Sequence, residues 1–585
     1  MAHLVLATAA AAQVRDTIPR RDTLPEPDTT AAAQDTTPPP VLVPFPDARQ
    51  AGWADGAWTW DHAALAHESA VSVLDLVARI PGVLPLRSGV ALQPEAASLF
   101  GAGGTRTIVD IDGFVLDPLL DETLDLSTIE LASLASVRIE RRADVLRIRL
   151  RTTEPGDAQP QSRIEAGLGE PNANFFRGVL LVPHFVIGPL GLAIDRSEFE
   201  GAGIRQPATA SAVWLKWGHL RETWGVQAEW RSHGIDREAG SPRPASLERR
   251  DFVVRARKRL AEGFIAEITA GRSTGRVEPI DAAVPDSLRD ATERTVSQTF
   301  ARAVWVRDAA RIEATVRYRD GDRLPGLEAA LEGSASMPGR VDLEAGIHQA
   351  RWSGGADATG LRLFAAMTPI AGVRLFGEAT RGARGGPAYR DTLTDAVRIH
   401  DRTAYRAGAE STLFGVSAGA AFLRIETDSV TTYALPPDSA APVVAGGEVT
   451  GWEGYGRVPL RSWLAATGAY TSWLSGSRWA YLPASMWRAA LEINTVPLPS
   501  GNLEIHAAGE AVFRGAMQGP PAARQAQGVD LAARTVLNAR LSIRILDVHI
   551  FVRFDDMMGS DVEDVPGQPV RGPRVFYGVK WDFRN

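Results

Sequence analysis

The residues to weigh first for chemistry are the two histidine–carboxylate pairs Asp61-His62 and His67-Glu68. Imidazole beside carboxylate suits either a metal ion or proton transfer. The two histidines stand five residues apart, which does not put them on one helical face, so the stretch reads as a solvated loop and no metal site is assigned. Asp110 and Asp112 fall on one side of a short strand, as a paired acid and base would. The plainer reading is that they balance nearby arginines. No P-loop and no His-Glu-x-x-His motif occurs. With a cysteine count of 0, thiol nucleophiles, disulfides and zinc–thiolate clusters are excluded. The chain is expected to be no enzyme and to need no cofactor.

The arginines carry a stronger signal, because they alternate with apolar residues. Phe252, Val254 and Ala256 oppose Arg255, Arg257 and Arg259; Ile312, Val316 and Tyr318 oppose Arg311, Arg317 and Arg319. Leu541, Ile543 and Ile545 oppose Arg540, Ser542 and Arg544, and Val548, Ile550, Val552 and Phe554 oppose His549, Arg553 and Asp555. The final stretch repeats the rule, with Val575, Tyr577, Val579, Trp581 and Phe583 against Arg574, Phe576, Gly578, Lys580 and Asp582. Successive strand residues point to opposite faces, so each segment offers one apolar and one polar face. A single soluble core does not bury that many apolar faces, whereas a barrel with hydrocarbon outside and water or protein inside accommodates all of them. From residue 162 onward about 22 such segments follow one another, an even number that suits an antiparallel transmembrane barrel. Arg255, Arg257, Arg317, Arg319 and Arg544 are therefore expected to face the lumen. Two roles stay open for them: balancing carboxylates, the plainer one, or attracting anionic solutes. Trp214, Trp224, Trp230, Trp305, Trp352, Trp463, Trp479 and Trp581 lie near strand ends, as interfacial belts or as internal packing.

Composition agrees. Lys+Arg 63 against Asp+Glu 70 gives a net charge of -7, without the basic excess of a nucleic-acid binder. Apolar residues are spread by alternation, and the longest apolar run, Gly178 to Ile194, is broken by Pro183, Gly188, Pro189 and Gly191. It reads as two strands joined through Gly188-Pro189-Leu190-Gly191 rather than as a spanning helix. Residues 1–13 read as the remnant of a signal peptide, with a disordered alanine-rich end as the alternative. Residues 14–67 are rich in Pro, Thr and Asp and are expected to form a disordered tail and linker. Within it, Val41, Leu42, Val43 and Phe45 form an apolar patch. The patch is either a strand-adding docking segment for a partner or ordinary linker, and Pro44 favours the latter.

Between the tail and the strands lies a small α+β module, residues 68–155. Val73, Leu74, Leu76, Val77 and Ile80 fall at helical spacing and Pro81-Gly82 ends the helix. Thr107 to Ile111 is a strand running into an Asp112-Gly113 turn, and Val137 to Glu140 and Val145 to Leu150 are further strands.

Here the residues carry a family likeness. Leu76-Val77-Ala78-Arg79-Ile80-Pro81-Gly82-Val83, then Ile108 to Gly113, then Val137-Arg138-Ile139-Glu140 resemble the plug domain of TonB-dependent outer-membrane receptors. Leu537 to Leu541, Phe554-Asp555-Asp556 and the closing strand are similar to the last strands of the same receptors. Two places depart from the family pattern. Leu99-Phe100-Gly101 stands where an Arg-Gly pair is usual, and Arg141-Arg142-Ala143-Asp144 stands where a glycine-rich loop is usual. The resemblance implies a barrel at residues 162–585 in the cell outer membrane, with a shortened plug in its lumen that carries Pro81, Gly82, Val83, Asp112 and Gly113. It also implies uptake of a solute, which the sequence does not identify, with the TonB energy-transducing complex as partner at the tail. The alternative is a barrel without energised transport, either structural or a passive porin.

Overall fold

The computed structural model describes residues 42, 45 and 51–584, except 102–105, 120–122, 171, 201–205, 242–243, 281–291, 322–323, 338, 383–388, 391–396, 432–442, 477–478 and 522–527. The described residues belong to one compact unit. Residues 1–13, Val41 and Val43 lie outside them, so the signal-peptide reading and half of the tail's apolar patch do too.

Alternation builds a closed barrel of 22 antiparallel strands. They follow one another in chain order from Gln161–Glu170 to Arg574–Arg584, and the last strand pairs with the first, Trp581 opposite Ile164 and Tyr577 opposite Leu168. Closure leaves no unpaired sheet edge. The outer face is the apolar one: Leu363 is 60% exposed, Ile347 47% and Trp581 52%, while between them in sequence the polar partners turn inward. No described helix is long and apolar enough to cross a membrane. Turns at one mouth are tight, such as Phe414-Gly415, where both residues have positive φ as a two-residue hairpin demands. The opposite mouth carries the long connections, including small hairpins at Met517–Leu531 and Asp561–Arg571.

The tryptophans divide between the two roles open to them. Trp224, Trp305, Trp463 and Trp581 are exposed, whereas Trp214, Trp352 and Trp479 are buried. The turn inside the longest apolar run falls at Val186-Ile187, not at Gly188 to Gly191, because strands Ala173–Phe185 and Gly188–Phe199 continue pairing through Gly191.

The N-terminal module lies in the lumen. It comprises β1 (Ala57–Trp60), α1 (His62–His67), α2 (Val73–Val77), β2 (Val83–Arg87), β3 (Glu95–Leu99), β4 (Thr107–Ile111), β5 (Phe114–Val115), β6 (Leu134–Arg141) and β7 (Leu146–Thr152). Its main sheet has the order β1-β6-β7-β4-β5, and β4 pairs with β7 in parallel. Val137 and Ile139 of β6 and Leu146, Ile148 and Leu150 of β7 form a core with Val73, Leu74, Leu76, Val77 and Ile80. The intervening Arg138, Glu140, Arg147 and Arg149 are left for the lumen side.

Helix α2 starts at a capping box, Ser72 with Asp75, and ends before Pro81-Gly82. Gly82 has φ +77, and a Cβ there would meet the Phe100 ring at 2.6 Å, so the Pro-Gly step requires glycine.

Two expectations about the tail are corrected. The folded module begins before residue 68, because Ala57–Trp60 find a pairing edge on β6, with Trp58 opposite Ile139. The Asp61 to Glu68 stretch is a helix and not a solvated loop. Asp61 caps it, its carboxylate accepting from the Ala64 N–H at 2.9 Å, and His67 is only 13% exposed.

Candidate functional site: the plug–barrel seam

The seam between module and barrel wall combines apolar contacts, such as Trp53 on Phe376 and the module core on Leu423 and Ile425, with a dense set of charges. On the module side β6 and β7 supply the charges by alternation. Glu140 accepts from Arg138 at 3.2 Å and Arg142 at 3.0 Å and lies 3.3 Å from Arg149. Burial alone would raise its pKa, but these guanidiniums hold the carboxylate well below its ordinary range. Arg147 donates to Asp110 at 3.2 Å.

Three clusters bridge the seam. Asp75, on α2, accepts two bonds from Arg553 of the wall, at 2.6 and 2.9 Å, and one from Arg87 at 2.8 Å. Burial opposes the Asp75 charge, yet Arg553 and Arg87 keep its pKa below the usual carboxylate range. Arg141 meets Glu453 of the wall in a two-pronged pair at 2.6 and 2.9 Å, and Arg406 donates to the same carboxylate at 2.6 Å. Arg406 also donates to the carbonyls of Ala54 and Trp53, and its guanidinium lies 4.4 Å from the Phe376 ring centre. Asp112 forms the third bridge with Lys216 at 3.3 Å, and Lys216 reaches Glu154 at 2.7 Å. Burial raises the Asp112 pKa less than Lys216 and Arg255 lower it.

The residues singled out in the sequence fall as follows. Arg319 donates to Asp117 of the module at 3.0 Å, and both Arg319 and Arg317 pair with Glu328. Arg257 pairs with Glu267 at 2.6 Å, and Arg255 lies 3.9 Å from Asp112. Arg544 pairs with Glu504. Pro81 accepts from Arg141 at 2.7 Å, while Asp112 and Gly113, both at positive φ, make the turn between β4 and β5. Of the tail patch, Leu42 and Phe45 are buried rather than displayed. Phe45 packs with Ile265 and Val304, its ring 4.2 Å from Arg257 and 4.0 Å from Arg302.

Asp75, Glu453 and Arg406 are not among the residues singled out in the sequence, and Arg141 and Arg553 stand out there only as turn and inward-facing strand residues, without their partners. Two signals point at the module's members of these clusters: Asp75 is a lone carboxylate inside an apolar helix, and Arg141 opens an Arg-Arg turn where glycine is usual. The short turn closes β6 onto β7 through the Arg142 N–H to the Val145 carbonyl, and this aims Arg141 at the wall.

One Gly-x-Ser-x-Gly string, Gly415 to Gly419, does occur. It enters an antiparallel wall strand, with Ser417 opposite Arg457 and its hydroxyl 3.0 Å from that of Thr412. It lacks the strand-to-helix turn that exposes a nucleophile.

Beside the third cluster a cavity of about 540 Å³ separates module and wall, lined by Asp110, Arg149, Arg302, Glu313 and Glu332 among others. Two module carboxyls depart the other way from Asp75: burial pushes Glu95 and Glu130 each up to about 7.

No family model and no curated protein sequence matches the chain. Solved structures do. The siderophore receptor PirA from Acinetobacter baumannii is similar with a TM-score of 0.72 at 10% identity, over 90% of this chain and 98% of that one. A variant of the ferric enterobactin receptor PfeA from Pseudomonas aeruginosa gives 0.72 at 12%, over 91% and 98%. The FrpB iron transporter from Neisseria meningitidis gives 0.72 at 10%, over 91% and 100%. Barrel, lumenal module and chain order together give this chain the fold of solved siderophore and iron receptors.

Proposed function

We propose that this chain is an outer-membrane receptor that takes up a solute through its barrel by displacing its own plug, as the resemblance to TonB-dependent receptors implies. The observation that carries the reading is the chemistry of the seam. A plug held by apolar packing alone would expose oil over its whole surface when it moved; where ion pairs beside a polar cavity supplement that packing, those partners can be exchanged for water. The apolar outer wall fits the outer membrane. Receptors of the same fold take ferric siderophores and iron, so an iron chelate is the first solute to test. An energy transducer would engage the tail, and Leu42 and Phe45 would then have to leave the wall before adding to a partner's sheet.

The test is uptake of radiolabelled ferric siderophores by cells lacking their own receptors, with and without residues 14–50. Uptake that needs both the tail and the proton-motive force supports the proposal. Uptake indifferent to either removes energised transport. A second reading, a permanently stoppered barrel, is favoured by the buried Arg141–Glu453–Arg406 cluster. It predicts no uptake of any chelate and no conductance in a planar bilayer.

A further inference from the structure

A cavity of about 480 Å³ opens beside α1, at the mouth with tight turns, lined by Trp60, Ala64, His67, Glu504, His506 and Ser542. Here the helix meets the wall strand Leu503–Arg514, and alternation sends Glu504 and His506 to the same lumenal face. His67 Nε2 lies 3.0 Å from Glu504 Oε2, and His506 Nε2 lies 3.9 Å from the same oxygen. The three ligand atoms all fall within 4.8 Å of one another. A tetrahedral zinc with bonds of about 2.0–2.1 Å needs ligand atoms about 3.3 Å apart, so side-chain rotation closes the set.

The surroundings are those of a ligand shell. The other Glu504 oxygen accepts from Arg544, which is itself held by the carbonyls of Gly501 and Leu546 at 2.8 Å. The second His67 nitrogen, Nδ1, faces the Ser542 hydroxyl at 3.5 Å, leaving Nε2 for a metal. A third imidazole supplies an independent observation. His549 is 5% exposed, stands edge-on to His67 with ring centres 4.7 Å apart, and its Nδ1 is buried without a hydrogen-bond partner. The His67 and His506 rings lie 3.9 Å apart, a spacing that disfavours two imidazolium charges.

We propose that His67, Glu504 and His506 form a binding site for a divalent cation of the zinc class, with His549 beside it, that clips the plug's first helix to the barrel wall. Two imidazoles and a carboxylate are donors that zinc accepts, and they leave a fourth position open to the cavity. The site stands whether or not the barrel transports anything.

The test uses the full chain without a histidine tag, in detergent, stripped with chelator and titrated with Co2+ and then Zn2+. The expected result is one Co2+ per chain with the strong visible absorption of a four-coordinate site, displaced by Zn2+. His506→Gln and His67→Gln should each weaken binding at least about tenfold, while His184→Gln on the outer wall leaves it unchanged. Heat-modifiable migration on gels shows that each variant is folded, and Glu504→Gln substitutes for any that is not. Absence of saturable one-equivalent binding, or binding indifferent to these substitutions, overturns the proposal.

Discussion

Glu453→Gln is the sharpest perturbation of the seam. The wild-type carboxylate is fully buried and accepts three charge-assisted bonds, two from Arg141 and one from Arg406. The amide keeps the shape, removes the charge and turns two N–H donors toward guanidiniums that already donate. Taking one partner from a buried pair costs about 3–5 kcal/mol, because the remaining charge stays desolvated. A plug-sized unit loses about 1–3 kcal/mol of stability per molar urea, so the unfolding midpoint of the plug should fall by about 1–5 M. Pulse proteolysis in a urea series reads this directly, since cleavage before residue 155 reports plug release while the barrel persists. Arg351→Gln is the control: its partner Asp357 is an exposed wall residue, and the midpoint should stay in place. A Glu453→Gln midpoint within about 0.3 M of wild type would refute the claim that this cluster anchors the plug.

Plug stability should also fall as pH rises through about 7. Glu95 and Glu130 have folded pKa values of about 7 against 4.5. Between these values the folded state holds protons the unfolded state has released, a penalty on the order of 3 kcal/mol per group above pH 7. The urea midpoint should be higher at pH 5 than at pH 8, and Glu95→Gln with Glu130→Gln should flatten the difference; a difference that survives both substitutions refutes the assignment. Leu363→Arg, on the outer face, should cost about 2–4 kcal/mol in barrel stability in liposomes, and a neutral result would place that face away from lipid. Phe45→Ala removes a ring stacked by two guanidiniums, each contact worth about 0.5–2 kcal/mol, and should speed proteolysis of the tail near residue 45. Unchanged cleavage would mean that Phe45 does not hold the tail.

Much of the fold was legible because strand alternation is local. Phe252 to Arg257, or Tyr577 to Trp581, declare which side faces out without reference to any other residue, and an even series of such segments suits closure into a barrel. The Pro81-Gly82 step and the Asp112-Gly113 turn were legible for the same reason: each satisfies a backbone requirement within a few residues. The tail boundary was misplaced because the Trp-Thr-Trp signal of Ala57–Trp60 is only four residues long and follows a Pro- and Thr-rich stretch; its pairing edge comes from β6, far along the chain. His67 was set aside as loop because its companions are not neighbours in sequence.

The sequence by itself thus determined the wall, its outward face and the presence of a plug-like module. Only the tertiary structure decided which charges meet. Asp75 and Arg553 are 478 residues apart, and Arg141 and Glu453 are 312 apart. A carboxylate inside the lumen has many arginines within reach of its charge, and alternation says only that all of them point inward. Which one it meets depends on strand register and on the orientation of the plug, both set by packing summed over the whole barrel.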